Sequence, residues 1–213
     1  MALPIEIRQF FYETLNGDRD VFEFEKWLYT NKELEGILNS DDYLDLISHN
    51  FKRSGAKNDL SKLLEKHINK AEFEKWKLVN LLNKALARDK DLPKILMKFY
   101  DLYCHGYYFL GNLGIGYGLA VKVPYSLADS WDELTQQQQK DILDSFYPQI
   151  TVEIQKVIEW LNDGTIVLTG TQNELDYYEY NDFRILKEKQ PSAYKVTSSN
   201  TDREKSWWKF WQT

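Results

Sequence analysis

Residues 103–118 read YCHGYYFLGNLGIGYG, and their reading decides whether the chain is an α/β nucleotide binder or a mainly helical protein. A dinucleotide fingerprint requires G-x-G-x-x-G between a strand and a helix, so that backbone amides and the helix terminus meet the pyrophosphate. Here the glycines fall at 111, 114, 116 and 118, after an apolar pattern of helical period. No Lys-Ser/Thr pair follows them, so a Walker-type phosphate loop fails as well. The spacing predicts a helix end whose glycines let the chain reverse closely against the core, leading into LAVKV (119–123) as a strand. Cys104 and His105 are adjacent, and successive helix positions point about 100° apart, which does not suit a nucleophile and its base. With Tyr103, Tyr107 and Tyr108 around it, Cys104 reads as a small core residue.

Upstream, apolar positions recur at helical spacing. Ile7, Phe10, Phe11 and Leu15 form a first stripe that stops at Gly17. Three short helices are expected over 18–51, with apolar faces Phe24/Trp27/Leu28, Leu34/Ile37/Leu38 and Tyr43/Leu44/Ile47/Phe51. Asn31 caps the second, and Ser40 opens the third with Asp41 and Asp42 in its first turn. Ala56, Leu60, Leu63, Leu64 and Ile68 share one side of the next helix; Phe73, Trp76, Val79, Leu82 and Leu86 do so in the one after. Pro93 sits where a first turn tolerates a missing N–H, ahead of the wide apolar face Leu92, Ile95, Leu96, Phe99, Leu102 and Tyr103.

Downstream, Thr135 and Gln138 have capping-box spacing, and Ile150, Ile154, Val157, Ile158 and Leu161 run to a stop at Gly164. The period then changes from helical to alternating. TIVLTGT (165–171) and LDYYEYNDFRIL (175–186) read as strands, with TQNE (171–174) as a hairpin loop. The expected architecture is mainly α (α+β): one multi-helix domain over 1–213, a small C-terminal β-hairpin over 165–186, and a tail over 197–213. The tail ends in SWWKFWQT and is expected to dock back onto the domain, because exposing its rings would invite association.

A chain of 213 residues with 43% hydrophobic content is long enough to bury a real core. A net charge of −6 argues against a general nucleic-acid binder, which needs a dense basic face. The charge comes in blocks: 11 acids against 4 bases over 1–50, then 7 acids against 13 bases over 51–110. Such blocks pair with each other or steer a charged partner. One cysteine makes neither an internal disulfide nor a multi-thiolate zinc site, which fits a reducing, cytoplasmic location. The N-terminal stretch reads as neither a secretory signal nor a membrane span, so no membrane association is expected.

No catalytic residue, metal or cofactor is expected. His49, His67 and His105 lie apart, without metal-ligand spacing. The carboxylate pairs Glu23/Glu25, Asp41/Asp42 and Glu72/Glu74 point in different directions on helices and suit helix starts. No G-x-S-x-G elbow is present. The hairpin is the richest surface. Alternation places Tyr178 and Tyr180 on one face and Tyr177, Glu179 and Asn181 on the other. One face is expected to pack on the helices, and the hairpin as a whole to contact a partner. The candidate partner-binding residues are Tyr177, Tyr178, Glu179, Tyr180 and Asp182, assisted by acids of the first 50 residues. Two alternatives stay open: a small-ligand protein or enzyme with a pocket around 103–118 lined by His105, Asn112 and Tyr117, and a self-associating scaffold.

Phe24-Glu25-Lys26-Trp27-Leu28-Tyr29, Leu34-Glu35, Tyr43-Leu44-Asp45-Leu46-Ile47 and Asn50-Phe51 resemble the opening of bacterial polymorphic-toxin immunity-type proteins and related small cytosolic chains. IVLTGTQNELDYYEYNDFR (166–184) is similar to their close. The resemblance covers about a quarter of the chain and implies a non-catalytic protein that occludes a cognate toxin. It carries a class of function to this chain and no catalytic residue.

Overall fold

A computed structural model describes residues 3–124 and 127–189. The 197–213 tail expected from the sequence lies outside them. The described chain is mainly helical, with one two-stranded antiparallel sheet near its end. None of its helices is long and apolar enough to cross a membrane.

Helix α1 (Ile5–Asn16) ends at Gly17, whose left-handed φ of 83° returns N–H groups to the last turn. Helix α2 (Val21–Thr30) starts from an Asp20–Glu23 capping box. The short α3 (Leu34–Ile37) begins after Asn31, whose Oδ1 accepts from the Glu33 amide at 3.1 Å. Helix α4 (Ser40–Ile47) is capped by Asn39 rather than Ser40, because Asn39 accepts from Asp42 N–H at 2.8 Å. Helix α5 (Ala56–Glu65) completes an N-terminal cluster in which Phe11, Phe24, Leu28, Leu34, Leu60 and Leu64 are buried. The third apolar face is corrected here: Leu46 is the buried residue of α4, and Leu44 is 58% exposed.

Helix α6 (Lys70–Leu86) works on two sides. Phe73 and Trp76 meet the Tyr12 ring of α1, at 5.0 and 5.5 Å between centroids. Leu78, Leu82 and Ala85 are buried in a second, larger cluster. That cluster gathers α7 (Leu92–Cys104) and α10 (Gln149–Asp163) with the segments between them. Charge blocks also meet as the sequence suggested. Lys66 approaches Asp42 and Asp45 and Lys84 approaches Asp18, while Arg8 and Glu72 pair between the same two blocks in the opposite sense. Exposed pairs of this kind contribute about 0.2–1 kcal/mol each, so burial dominates.

After α7 the chain does turn back onto the core, through a 3-10 turn at Tyr108–Leu110 and a π-helix at Asn112–Gly118. The expected strand at 119–123 is instead helix α8 (Leu119–Lys122). The reason lies in the glycines. Gly114 and Gly118 are four apart, so both face α7. A Cβ on Gly114 would stand 2.9 Å from Tyr103 Cβ and 3.0 Å from the Phe99 carbonyl oxygen, and one on Gly118 would overlap the Leu96 carbonyl oxygen. Only Cβ-free positions let two helical backbones approach this closely, and the helical course simply continues. Helix α9 (Gln136–Ser145) keeps the Thr135–Gln138 capping box, and α10 stops at Gly164 with φ 82°.

Strands β1 (Ile166–Gln172) and β2 (Tyr178–Asp182) pair antiparallel, with Ile166 opposite Asp182 and Leu168 opposite Tyr180. A bulge between Leu168 and Gln172 holds Gly170 at φ 74°, where a Cβ would lie 2.5 Å from the Ala71 amide at the head of α6. Helix α11 (Leu186–Lys189) closes the described chain. Replacing Gly118 by Ala is expected to destabilise the fold by roughly 1–3 kcal/mol through backbone overlap. Gly116→Ala, where a Cβ meets nothing within 4 Å, is expected to stay within about 1 kcal/mol of wild type. Urea denaturation of both variants measures the contrast.

Candidate functional site

The hairpin is mounted on the end of α7, on residues of the stretch 103–118. Gly106 has φ 110°, and a Cβ there would lie 2.8 Å from the Tyr178 carbonyl oxygen. The bare backbone instead lets Tyr178 N–H donate to the His105 carbonyl at 2.8 Å. Next to it, the buried Tyr107 ring stacks on Tyr178 at 4.7 Å and meets the edge of Tyr180 at 6.1 Å. Phe109 adds an edge contact to Tyr180 at 4.9 Å. Burial pushes the phenols of Tyr107, Tyr178 and Tyr180 above the ordinary tyrosine range. These rings form a packed aromatic joint.

The five sequence-derived residues therefore divide between two faces. Tyr178, Tyr180 and Asp182 lie on the half-buried face of β2, while Glu179 faces out and Tyr177 is 37% exposed. Asp182 is held at the strand end by Arg184, with Nε–Oδ1 at 3.0 Å and Nη2–Oδ2 at 2.8 Å. The Arg184 side chain is nearly fully buried and lies 4.7 Å from the centre of the Trp160 ring. Direct hydrogen bonds from Arg184 hold the Asp182 carboxyl below the usual range. This pair anchors the root of the hairpin.

The hairpin tip is ordered by its own hydrogen bonds. Asn173 Oδ1 accepts from Leu175 N–H at 2.9 Å and Tyr177 N–H at 3.1 Å, and Asn173 N–H donates to the Tyr177 carbonyl. Gln172 reaches the Asp176 carbonyl at 3.1 Å. Leu175 is thereby presented at the tip, 74% exposed, between Glu174 and Asp176. Sequence reasoning missed Leu175, because alternation assigned it to a strand; the available signal was the Asn173 Asx-turn chemistry.

The residues proposed for a pocket around 103–118 point to separate neighbours. His105 is exposed, with Nδ1 2.6 Å from the Asp101 carbonyl. Asn112 donates to Glu153 at 2.7 Å, and the buried Tyr117 ring meets Phe146 at 5.2 Å. Cys104 is exposed, which corrects its reading as a core residue; it sits on the last turn of α7, past the buried stripe. The other histidines stand elsewhere, His49 at the Ala56 carbonyl and His67 beside Asp42. Among the described residues no three His, Cys, Asp or Glu side chains are grouped to hold a metal ion. Part of the N-terminal acidic block is engaged within the chain, Glu13 by Arg19 and Asp42 by His67 and Lys66.

Two open grooves lie away from this stretch. One of about 530 Å³ runs along α10 past α11 and is lined by Val152, Lys156, Glu159, Trp160, Asp163 and Glu188. The other, of about 620 Å³, lies between the α1–α2 turn and α6, with Arg19, Trp76, Asn80, Asn83 and Lys84 on its walls. No family model matches the chain, and no curated protein or solved structure is significantly similar to it.

The lowered Asp182 carboxyl sets a pH dependence. Its ionised form stabilises the fold above the ordinary aspartate range, and that contribution is lost as pH falls through the depressed folded value. Asp182→Asn is expected to reduce stability at neutral pH by roughly 1.5–3 kcal/mol. The gap to wild type should close as pH falls below about 4, which denaturation midpoints across pH 2–7 would record.

Proposed function

We propose that this chain is a non-catalytic, cytoplasmic binding protein of the immunity type, which occludes a cognate bacterial toxin with its β-hairpin. The observation that carries the reading is the pre-ordered tip, with Leu175 and Tyr177 displayed among Glu174, Asp176 and Glu179. A loop already held in shape loses little conformational freedom on binding. Exposed Leu and Tyr supply contact area, and carboxylates supply approach rate and register. No basic side chain occurs from 165 to 183, so the hairpin presents one sign of charge and favours a basic partner. Tyr178, Tyr180 and Asp182 act in this reading by setting the hairpin on the helices, with Tyr177 and Glu179 meeting the toxin.

Co-expression with each product encoded beside the gene tests the proposal. Wild type is expected to rescue cells poisoned by one of them and to form a one-to-one complex with it. Tyr177→Ala should weaken that complex by about 2 kcal/mol, roughly thirty-fold in Kd, and Leu175→Arg should abolish rescue, both with unchanged melting temperature. Failure to rescue from any neighbouring product, or rescue indifferent to both variants, overturns it.

A further inference from the structure

The groove between the α1–α2 turn and α6 has no part in toxin occlusion, and its volume of about 620 Å³ lies in the range of small-molecule sites. One wall is a stripe of α6. Trp76, Asn80 and Asn83 follow at i, i+4 and i+7, which puts them on one face of the helix. Trp76 is held by Tyr12 and Phe73 and still lines the groove. Trp76 and Asn80 are half-buried, and Asn83 is exposed. Among the described residues, neither the Trp76 indole N–H nor the two carboxamides have a hydrogen-bond partner. The charges around them are already engaged. Arg19 Nε donates to Glu13, Glu23 accepts from the Asp20 N–H at 2.9 Å, and Asp89 accepts from the Asp91 N–H at 2.9 Å. Asp18 accepts from Asn16 at 2.7 Å, with Lys84 at 3.8 Å. What the groove leaves unspent is neutral: a ring, an N–H donor, and two carboxamides that each donate and accept.

We propose that this groove binds a neutral carbohydrate, with one sugar ring stacked on Trp76 and its hydroxyls bonded to Asn80 and Asn83. The C–H face of a pyranose matches an indole, which is an apolar plate with an N–H handle. Neighbouring sugar hydroxyls donate and accept side by side, as a carboxamide does. Charge decides against an ionic ligand. An anion would meet the carboxylates of Glu13, Asp18, Glu23 and Asp89, and a cation would meet Arg19 and Lys84. A neutral polyol meets neither repulsion. Trp76 to Asn83 spans about 10 Å along α6, the length of a disaccharide. The site rests on these side chains alone and stands whether or not the hairpin meets a toxin.

The test titrates the full, isotopically labelled chain with maltose, cellobiose, lactose and diacetylchitobiose, followed by NMR. At least one sugar is expected to move the Trp76 indole and the Asn80 and Asn83 carboxamide resonances together and saturably, with a Kd on the order of 1 mM. The indole resonances of Trp131 and Trp160 should stay in place. Asn80→Ala and Asn83→Ala are each expected to weaken that sugar about tenfold. Alanine suits a helix, so neither variant should lower the melting temperature. No saturable shift with any of the four sugars overturns the proposal, and so does an affinity indifferent to both variants. Spermidine and citrate are the ionic controls. Either of them moving the same resonances at a lower concentration than every sugar sinks the idea and assigns the groove to an ion.

Discussion

The approach of the Asn112–Gly118 segment to α7 is the contact on which the rest of the C-terminal half depends. Gly114 and Gly118 bring one backbone against the carbonyls of Phe99 and Leu96, a distance at which any side chain would overlap. That contact lets Leu113 and Tyr117 reach the same core as Ile95, Leu96 and Phe99. Burying such side chains contributes about 1.5–3 kcal/mol each, so a small steric permission at two positions commands a large share of the burial. Helix α7 itself ends at Gly106, whose positive φ lets Tyr107 N–H return to the Leu102 carbonyl at 3.0 Å.

The hairpin inherits its place from that ending. A single glycine with positive φ opens the backbone to Tyr178, and a stacked ring pair closes the joint. The far end of β2 is tied by the Asp182–Arg184 pair over Trp160. A two-stranded sheet is marginal alone in water. Here one face is given to the helices and the other is left outward, which is how a small hairpin becomes a presenting element. Its tip draws its shape from Asn173 rather than from packing, so surface substitutions there act on recognition more than on stability.

Helix α6 joins the two clusters by carrying Phe73 and Trp76 toward α1 and Leu78, Leu82 and Ala85 toward α7 and α10. The sequence reading put Phe73, Trp76 and Leu82 in one stripe with Val79 and Leu86, and did not include Leu78 or Ala85, because periodicity reports that a helix has apolar positions and not how many bodies it touches. The same gap explains Leu44 and Cys104. Both have residue types that favour burial, and both stand exposed because nothing in the described chain packs over their side of α4 and α7.

Much of the local physics was legible. Helix period, the capping box at Thr135–Gln138, the stops at Gly17 and Gly164, and the change to alternation after Gly164 depend on neighbours within a few residues, and the helical class with its terminal hairpin follows from them. Gly114 and Gly118 showed the limit. From sequence they mark a chain reversal, and only the presence of α7 alongside reveals them as the close face of a continuing helix. The division of Tyr177, Tyr178, Glu179, Tyr180 and Asp182 between presentation and anchorage was likewise decided by tertiary structure. Exposure is a property of what distant parts of the chain lie against, and no local pattern contains it.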